Sequence, residues 1–223
     1  MSATPRPEFP HHDADLPRLV ADEGFWDERY RSAPALWSGE PNPHVVTDTA
    51  DLTPGTALDV GCGEGADTVW LAARGWRVTG ADISTVALER AAEHARDAGV
   101  ADRVDWLHLD LTRDAPPTTY DLVSAQFVHL PPELRDPAHA RLAVAVAPGG
   151  TLLVVAHHPW DIDSGAPRPP FHELYFTPQD VAAVLDPQHW TVEVADVRPR
   201  PFTTADGAVV TIHDTVLRAR RAA

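Results

Sequence analysis

The spacing of apolar residues changes several times along the chain, and the changes mark its elements. From Thr56 onward, short apolar runs alternate with stretches whose apolar residues recur every three or four positions. The runs at residues 57–60, 77–81, 104–109, 120–125 and 151–156 predict five strands. They are nearly continuous in apolar side chains, as strands buried on both faces are. Residues 67–74 predict a helix closed by Gly75. Ser84 caps a second helix that runs to about Ala98, with Gly99 just past its end. A third helix is predicted over residues 132–146, stopped before Pro148-Gly149-Gly150. Strands alternating with helices predict an α/β protein, a doubly wound parallel sheet covered on both faces. The tail differs. Thr177-Pro178 opens a short helix, and residues 190–197 and 209–219 predict an antiparallel pair about a turn at Asp206-Gly207.

The front of the chain has no such rhythm. Residues 1–16 are Pro-rich and polar and predict a disordered tail with a solvated His11-His12 pair. Trp26 and Tyr30 are four apart and share one face of a predicted helix. A Pro-rich loop over residues 34–43 carries Trp37 and Asn42.

Composition narrows the classes. A chain of 223 residues fits one domain with its own core. With 33 acidic and 18 basic residues the formal net charge is −15, which repels phosphate backbones and anionic membranes. Nucleic acid and membrane are therefore not expected as partners, and a small-molecule substrate is. The run at residues 152–156 is too short to span a bilayer, and the N-terminus lacks the apolar segment of a secretory signal. One cysteine, Cys62, allows no internal disulfide and fits a cytoplasmic location. Nothing in the sequence signals an oligomeric state.

The sharpest local signal is Asp59-Val60-Gly61-Cys62-Gly63-Glu64-Gly65, where the first strand meets the first helix. Glycines there let the backbone turn tightly and let a ligand approach main-chain atoms. The same residues satisfy a dinucleotide fingerprint, so the loop alone leaves a nicotinamide cofactor open. Asp82 lies 21 positions beyond Gly61, at the end of the second strand, where an acid can accept the hydroxyls of a ribose in either kind of site. Two more acids separate the readings. Asp59, just before the glycines, suits the ammonium group of a methionine moiety and would repel a pyrophosphate. Asp110, at the end of the third strand, can accept an adenine amino group.

These residues resemble the class I S-adenosylmethionine-dependent methyltransferases. Asp59 to Gly65 is similar to that family's first motif, with Gly61, Cys62 and Gly63 against the cofactor. Asp82-Ile83 resembles its ribose-binding acid and adenine-packing neighbour, and Asp110-Leu111 its adenine-binding pair. Pro148-Gly149-Gly150 is also similar to the family pattern. The resemblance covers residues 51–156 and extends to the final strand pair. It implies a Rossmann-like seven-stranded sheet of order 3-2-1-4-5-7-6 with the last strand antiparallel, and S-adenosylmethionine as cofactor with S-adenosylhomocysteine as product. The front segment, with Trp26, Tyr30 and Trp37, more loosely resembles the lid of small-molecule branches related to thiopurine and tellurite-resistance methyltransferases. That implies a division into a tail and lid segment over residues 1–50 and a methyltransferase domain over residues 51–223.

Methyl transfer to an O, N or S nucleophile is an in-line displacement in which the protein aligns the acceptor and excludes water. A general base is needed only when the acceptor carries a firmly held proton. His129, after the fourth strand, and His157 and His158, after the fifth, are the candidates, with Asp161 and Asp163 close behind. Gln126, at the end of the fourth strand, is expected to touch cofactor. No metal site is expected, since no histidine pair has ligand spacing such as HExxH. Nor does a GxSxG elbow appear. Two alternatives stand beside this reading. One is an NAD(P)-dependent oxidoreductase, although the chain has no lysine for a Tyr-Lys pair. The other is a non-catalytic S-adenosylmethionine-binding protein. The Pro-rich run at residues 167–170 suggests a rigid wall over the pocket.

Overall fold

The computed structural model describes residues 20–162, 171–204 and 207–223. The expectations on His11-His12, Asp163, residues 167–170 and Asp206 lie outside them. Five strands run in parallel: β1 (Thr56–Val60), β2 (Arg77–Asp82), β3 (Val104–His108), β4 (Tyr120–Gln126) and β5 (Val146–His157). β6 (Trp190–Thr203) and β7 (Val209–Arg221) form a hairpin whose β7 inserts antiparallel beside β5. The sheet order is β3-β2-β1-β4-β5-β7-β6, as the resemblance implied.

Alternation along each strand divides the core. In β1, Leu58 and Val60 point into a cluster with Leu142 of α5 (Pro132–Val144) and Val181 of α6 (Pro178–Ala182). Ala57 points the other way, toward Leu71 of α3 (Ala66–Ala73) and Ala95 of α4 (Thr85–Asp97). The helices start where their caps place them. Ser84 accepts from the backbone N–H of Ala87, and Thr177 with Asp180 forms a reciprocal capping box on α6. Gly75 and Gly99 take positive φ just past α3 and α4.

Three boundaries differ from the sequence pattern. The third predicted helix stops at Val144, and β5 begins two residues later, so Pro148-Gly149-Gly150 lies within the strand instead of before it. The pairing of Val146 with Tyr120, ahead of an irregular register, makes this possible. β3 ends at His108, which leaves Asp110 in the loop beyond. β6 runs on past Val197 to Thr203 through Pro199 and Pro201. It is the outer strand, so a proline there costs no ladder bond on its open side.

Ahead of the sheet, α1 (Glu23–Arg31) and α2 (Pro43–Asp48) lie on the α3 and α4 side. Asp22 caps α1 through the Phe25 N–H, and Asn42 caps α2 through the His44 N–H. No helix among the described residues is long and apolar enough to cross a membrane.

Candidate active site

The glycine turn between β1 and α3 is built by backbone that only glycine adopts readily. Gly61, Gly63 and Gly65 all have φ between 53° and 84°. A Cβ at Gly61 would meet the Val128 side chain at 2.6 Å, and one at Gly63 would sit 2.9 Å from Tyr30 Oη and 3.2 Å from Trp37 Nε1. The Gly61 and Cys62 N–H groups donate to Ala81 O, which ties the turn to β2. The Cys62 thiol is raised well above its ordinary range by burial and by the charges of Asp82 and Asp59, which makes it an inert part of the turn.

Around this turn stand three carboxylates, Asp59 and Asp82 buried and Asp67 half-buried. Asp59 shares the Ala57 side of β1 and accepts from Thr68 Oγ1 at 2.6 Å. Asp67, in the first turn of α3, accepts the Asn42 N–H at 2.6 Å. Asp82 accepts the Gly63 N–H at 2.8 Å and the Ser84 N–H at 2.9 Å. Burial pushes Asp59 up to about 8, with the charge of Asp67 adding to it, and burial pushes Asp67 up to about 6. Burial likewise raises Asp82 against its backbone hydrogen bonds. Among the described residues none of the three forms an ion pair, so the turn is an acidic recess whose carboxyls, once ionised, have no salt-bridge partner.

Asp110 behaves differently. Burial favours its neutral form, but hydrogen bonds from Thr112 and the Arg113 guanidinium outweigh that and hold its carboxyl below the usual range. Ile83 is half-buried, and its carbonyl meets His108 Nε2 at 2.9 Å. Leu111 is packed into the main core cluster.

The front segment straps over the turn. Glu64, inside the glycine motif, accepts the N–H groups of Leu36 and Trp37 and an Arg90 Nη1 bond at 2.9 Å. Arg90 also donates to Tyr30 O. Trp37 Nε1 donates to Tyr30 Oη at 3.1 Å, directly above Gly63. Asp27 accepts from the Ser84 hydroxyl at 2.7 Å. Asn42 donates through Nδ2 to Gln126 Oε1, while Gln126 Nε2 donates to Ser124. Trp26 is placed elsewhere: its indole N–H donates to Val20 O, and its ring joins Phe25 and Tyr30.

Beyond Gln126 the chain turns sharply at Phe127, a non-glycine residue with φ 56°. This brings three rings together. His157, the last residue of β5, stacks on His129 at 4.5 Å and lies 4.6 Å from Phe127. His129 Nε2 accepts the backbone N–H of His157 at 3.2 Å, so that lone pair is engaged. His158 is separate. It is buried, its Nδ1 accepts the Trp160 N–H, and its neighbours are Trp160, His213 and Asp161. Burial and the nearby His213 lower its pKa. Among the described residues no three His, Cys, Asp or Glu side chains are grouped to hold a metal.

Sequence reasoning missed Glu64, Asp67 and Arg90. Glu64 stood inside the quoted motif, and Asp67 is an acid in the first turn of a helix. Their partners in the front segment, which has no periodicity, lie 25 to 60 positions away, so only the fold reveals them.

A sheet of this order, with β7 reversed beside β5 and an acid-ringed glycine turn at the carboxyl edge, defines the Rossmann-like methyltransferase fold. Comparison with known proteins carries this further. A family model described as a methyltransferase domain matches residues 57–150. Thiocyanate methyltransferase 1 of Brassica oleracea is 33% identical over 172 residues, 74% of each chain. A probable thiol methyltransferase 2 of Arabidopsis thaliana is 30% identical over 67% of this chain and 69% of its own. In fold, TehB of Haemophilus influenzae aligns with a TM-score of 0.67 at 18% identity, over 89% of this chain and 66% of that one. The N-methyltransferase NodS of Bradyrhizobium japonicum WM9, solved with S-adenosylhomocysteine, aligns with a TM-score of 0.65 at 18% identity, over 87% and 95%. The chain belongs to the class I S-adenosylmethionine-dependent methyltransferases.

Proposed function

We propose that this methyltransferase acts on a small molecule through a soft or heteroatom nucleophile, with His157 as the group that takes the acceptor's proton. The observation that carries the cofactor assignment is the recess itself. Asp59 and Asp82 are buried, half-buried Asp67 lies beside them, and none of the three forms an ion pair among the described residues, which suits a ligand bearing an ammonium and a sulfonium. S-adenosylmethionine, when bound, supplies a methyl carbon activated by the positive sulfur. The residues present fit it. Gly61 and Gly63 offer backbone unobstructed by side chains, Asp82 the acid for a ribose, and Asp59 the acid for the ammonium. Asp110, with Ile83 and Leu111, is assigned to the adenine in this reading. Tyr30 and Trp37 close the turn from above. Trp26 supports them through its contact with Tyr30. In this reading residues 1–50 are a tail and strap, and residues 51–223 the catalytic domain.

Three histidines entered as candidates, and their positions rank them. His129 Nε2 accepts the His157 amide, and His158 lies apart, with Trp160, His213 and Asp161 as neighbours. His157 stands at the end of β5, beside the turn at Phe127 that follows Gln126. The relatives named for thiol and thiocyanate make a sulfur nucleophile the first acceptor to try. The charge of −15 turns nucleic acid away, and the single cysteine fits the cytoplasm.

A panel of small thiols, thiocyanate, phenols and amines, assayed for formation of S-adenosylhomocysteine, tests this. Turnover of at least one acceptor, with a slower rate in His157→Gln, is the expected result. Tight cofactor binding with no turnover across the panel would support the non-catalytic alternative. Equal rates in wild type and His157→Gln on an acceptor that carries a proton, a thiol, phenol or protonated amine, would remove His157 from the reaction.

A further inference from the structure

Behind His157 lies a carboxylate for which the methyl-transfer site as described has no role. Asp214 sits in β7 with none of its surface exposed, next to the apolar run of Val216 and Leu217. It is in direct cross-strand register with His157 of β5 on one side and Arg198 of β6 on the other. Residues opposed in this way project to one face of the sheet. Three elements converge on it there. His44 of α2 brings Nε2 to 3.1 Å from Oδ2, Arg200 of β6 donates through Nε and Nη2, and His157 Nδ1 lies 4.0 Å from Oδ1. Arg198 is held by Asp48 and lies 3.4 Å from His44 Nδ1. A wholly buried carboxylate costs several kcal/mol of desolvation, and a well-packed apolar residue would often serve stability as well. Its position between the strap helix α2, the outer hairpin and the end of β5 calls for another reason.

We propose that Asp214 is a positioning residue for His157: it holds the imidazole with a protonated Nδ1 toward its own carboxylate, so that Nε2 is the basic nitrogen. This rests on the reading of His157 as proton acceptor. The acceptor's proton passes to Nε2, and the acceptor atom keeps the electron pair of the broken bond. The positive charge that appears on the ring is offset by Asp214. The 4.0 Å separation shortens to a hydrogen bond as the charge develops, in keeping with the long contacts of ligand-free sites. The other groups facing His157 and Asp214 are His129, stacked on the ring, Tyr175 with its ring 6.1 Å away, and the Arg200, Arg198 and His44 side chains. Arg200 opposes protonation of His157 and is itself neutralised by Asp214. Removing the carboxylate therefore leaves an arginine charge that depresses the histidine further.

The experiment is nitrogen-15 NMR of the full-length chain labelled at histidine, with His157→Gln assigning the signal. In wild type the neutral ring of His157 is expected as the Nδ1–H tautomer. In Asp214→Asn its pKa is expected to fall by about one pH unit or more, the scale for losing an opposite charge within 4–6 Å. An Nε2–H tautomer in wild type, or a pKa that stays put in Asp214→Asn, overturns the proposal. If Asp214→Asn does not fold, the wild-type tautomer decides alone. The measurement needs neither cofactor nor turnover. A His157 that behaves as expected in a protein inactive toward every acceptor would overturn the functional reading and leave the Asp214 pairing intact.

Discussion

At the scale of single residues, burial without compensation is what gives the site its chemistry. The carboxyls of Asp59 and Asp67 are raised by removal from water, so the folded protein holds protons that the unfolded chain gives up near 4. The stability they lend is complete below that value and is lost as pH rises through about 6 for Asp67 and about 8 for Asp59. A cationic ligand favours the ionised pair. Binding of S-adenosylhomocysteine, which keeps the ammonium, should therefore release protons near pH 7 and tighten from pH 6 to pH 8. Calorimetry in buffers of different ionisation enthalpy measures both; an affinity independent of pH would deny Asp59 and Asp67 the role. Asp82→Ala should weaken the same ligand by about 1.5–3 kcal/mol, the scale for losing hydrogen bonds to a charged group. Asp82 also accepts the Gly63 N–H, so part of that loss comes from a slackened turn. Asp59 and Asp82 were legible in the sequence because each ends or nearly ends a strand, Asp59 just before the glycines and Asp82 at a set spacing beyond them. Asp214 was not. Its partner His44 is 170 positions away, and a polar residue in a strand of alternating character declares nothing until the neighbouring strands are in register.

At the scale of elements, the front segment is held by a few charged hydrogen bonds instead of a broad apolar face. Glu64 alone receives two backbone N–H groups and Arg90. Glu64→Gln should cost roughly 2–3 kcal/mol, the worth of charge-assisted bonds in a buried setting, and should speed amide exchange over residues 32–42. Unchanged exchange there would show that the strap is held by other contacts. Gly63→Ala tests the same closure from below, because φ 53° disfavours a side chain and the new methyl meets Tyr30 Oη at 2.9 Å. Lower affinity for S-adenosylhomocysteine is expected, with about 1–2 kcal/mol of lost stability from the backbone alone. α5 carries a different device. Burial and Arg135 push His139 down to about 4, so the folded state keeps it neutral while the unfolded chain protonates it near 6.5. Its contribution is present above 6.5 and is lost as pH falls toward 4, a swing of ~3 kcal/mol. His139→Leu should flatten that part of the acid denaturation profile, and an unaltered profile would place the acid sensitivity elsewhere. The apolar strands and the caps of α4 and α6 were readable from period and cap residues. The start of β5 and the length of β6 were not, since Pro148-Gly149-Gly150 and Pro199 look like stops until an edge position or an irregular register absorbs them.

At the scale of the whole molecule, topology gathers what the chain scatters. The glycine turn after β1, the acid that ends β2, the acid beyond β3, the turn after β4 and the end of β5 all reach the carboxyl edge of one sheet, where ligands bind in open α/β folds. The reversed β7 closes that edge by bringing Asp214 beside His157, and α2 brings His44 to the same carboxylate. The sheet order followed from a family resemblance carried by residues 59–65, 82–83 and 110–111, and the structure agrees with it. The acceptor was never legible at this scale, because its contacts come from loops whose shape no period dictates. The central claim is that the acid-ringed turn holds S-adenosylmethionine. Isothermal titration calorimetry of the full chain with S-adenosylhomocysteine, and with NADH for comparison, tests it most directly. Micromolar binding of the first and none of the second is the predicted result. Binding of NADH without S-adenosylhomocysteine would contradict the account and give the glycine turn to a nicotinamide cofactor.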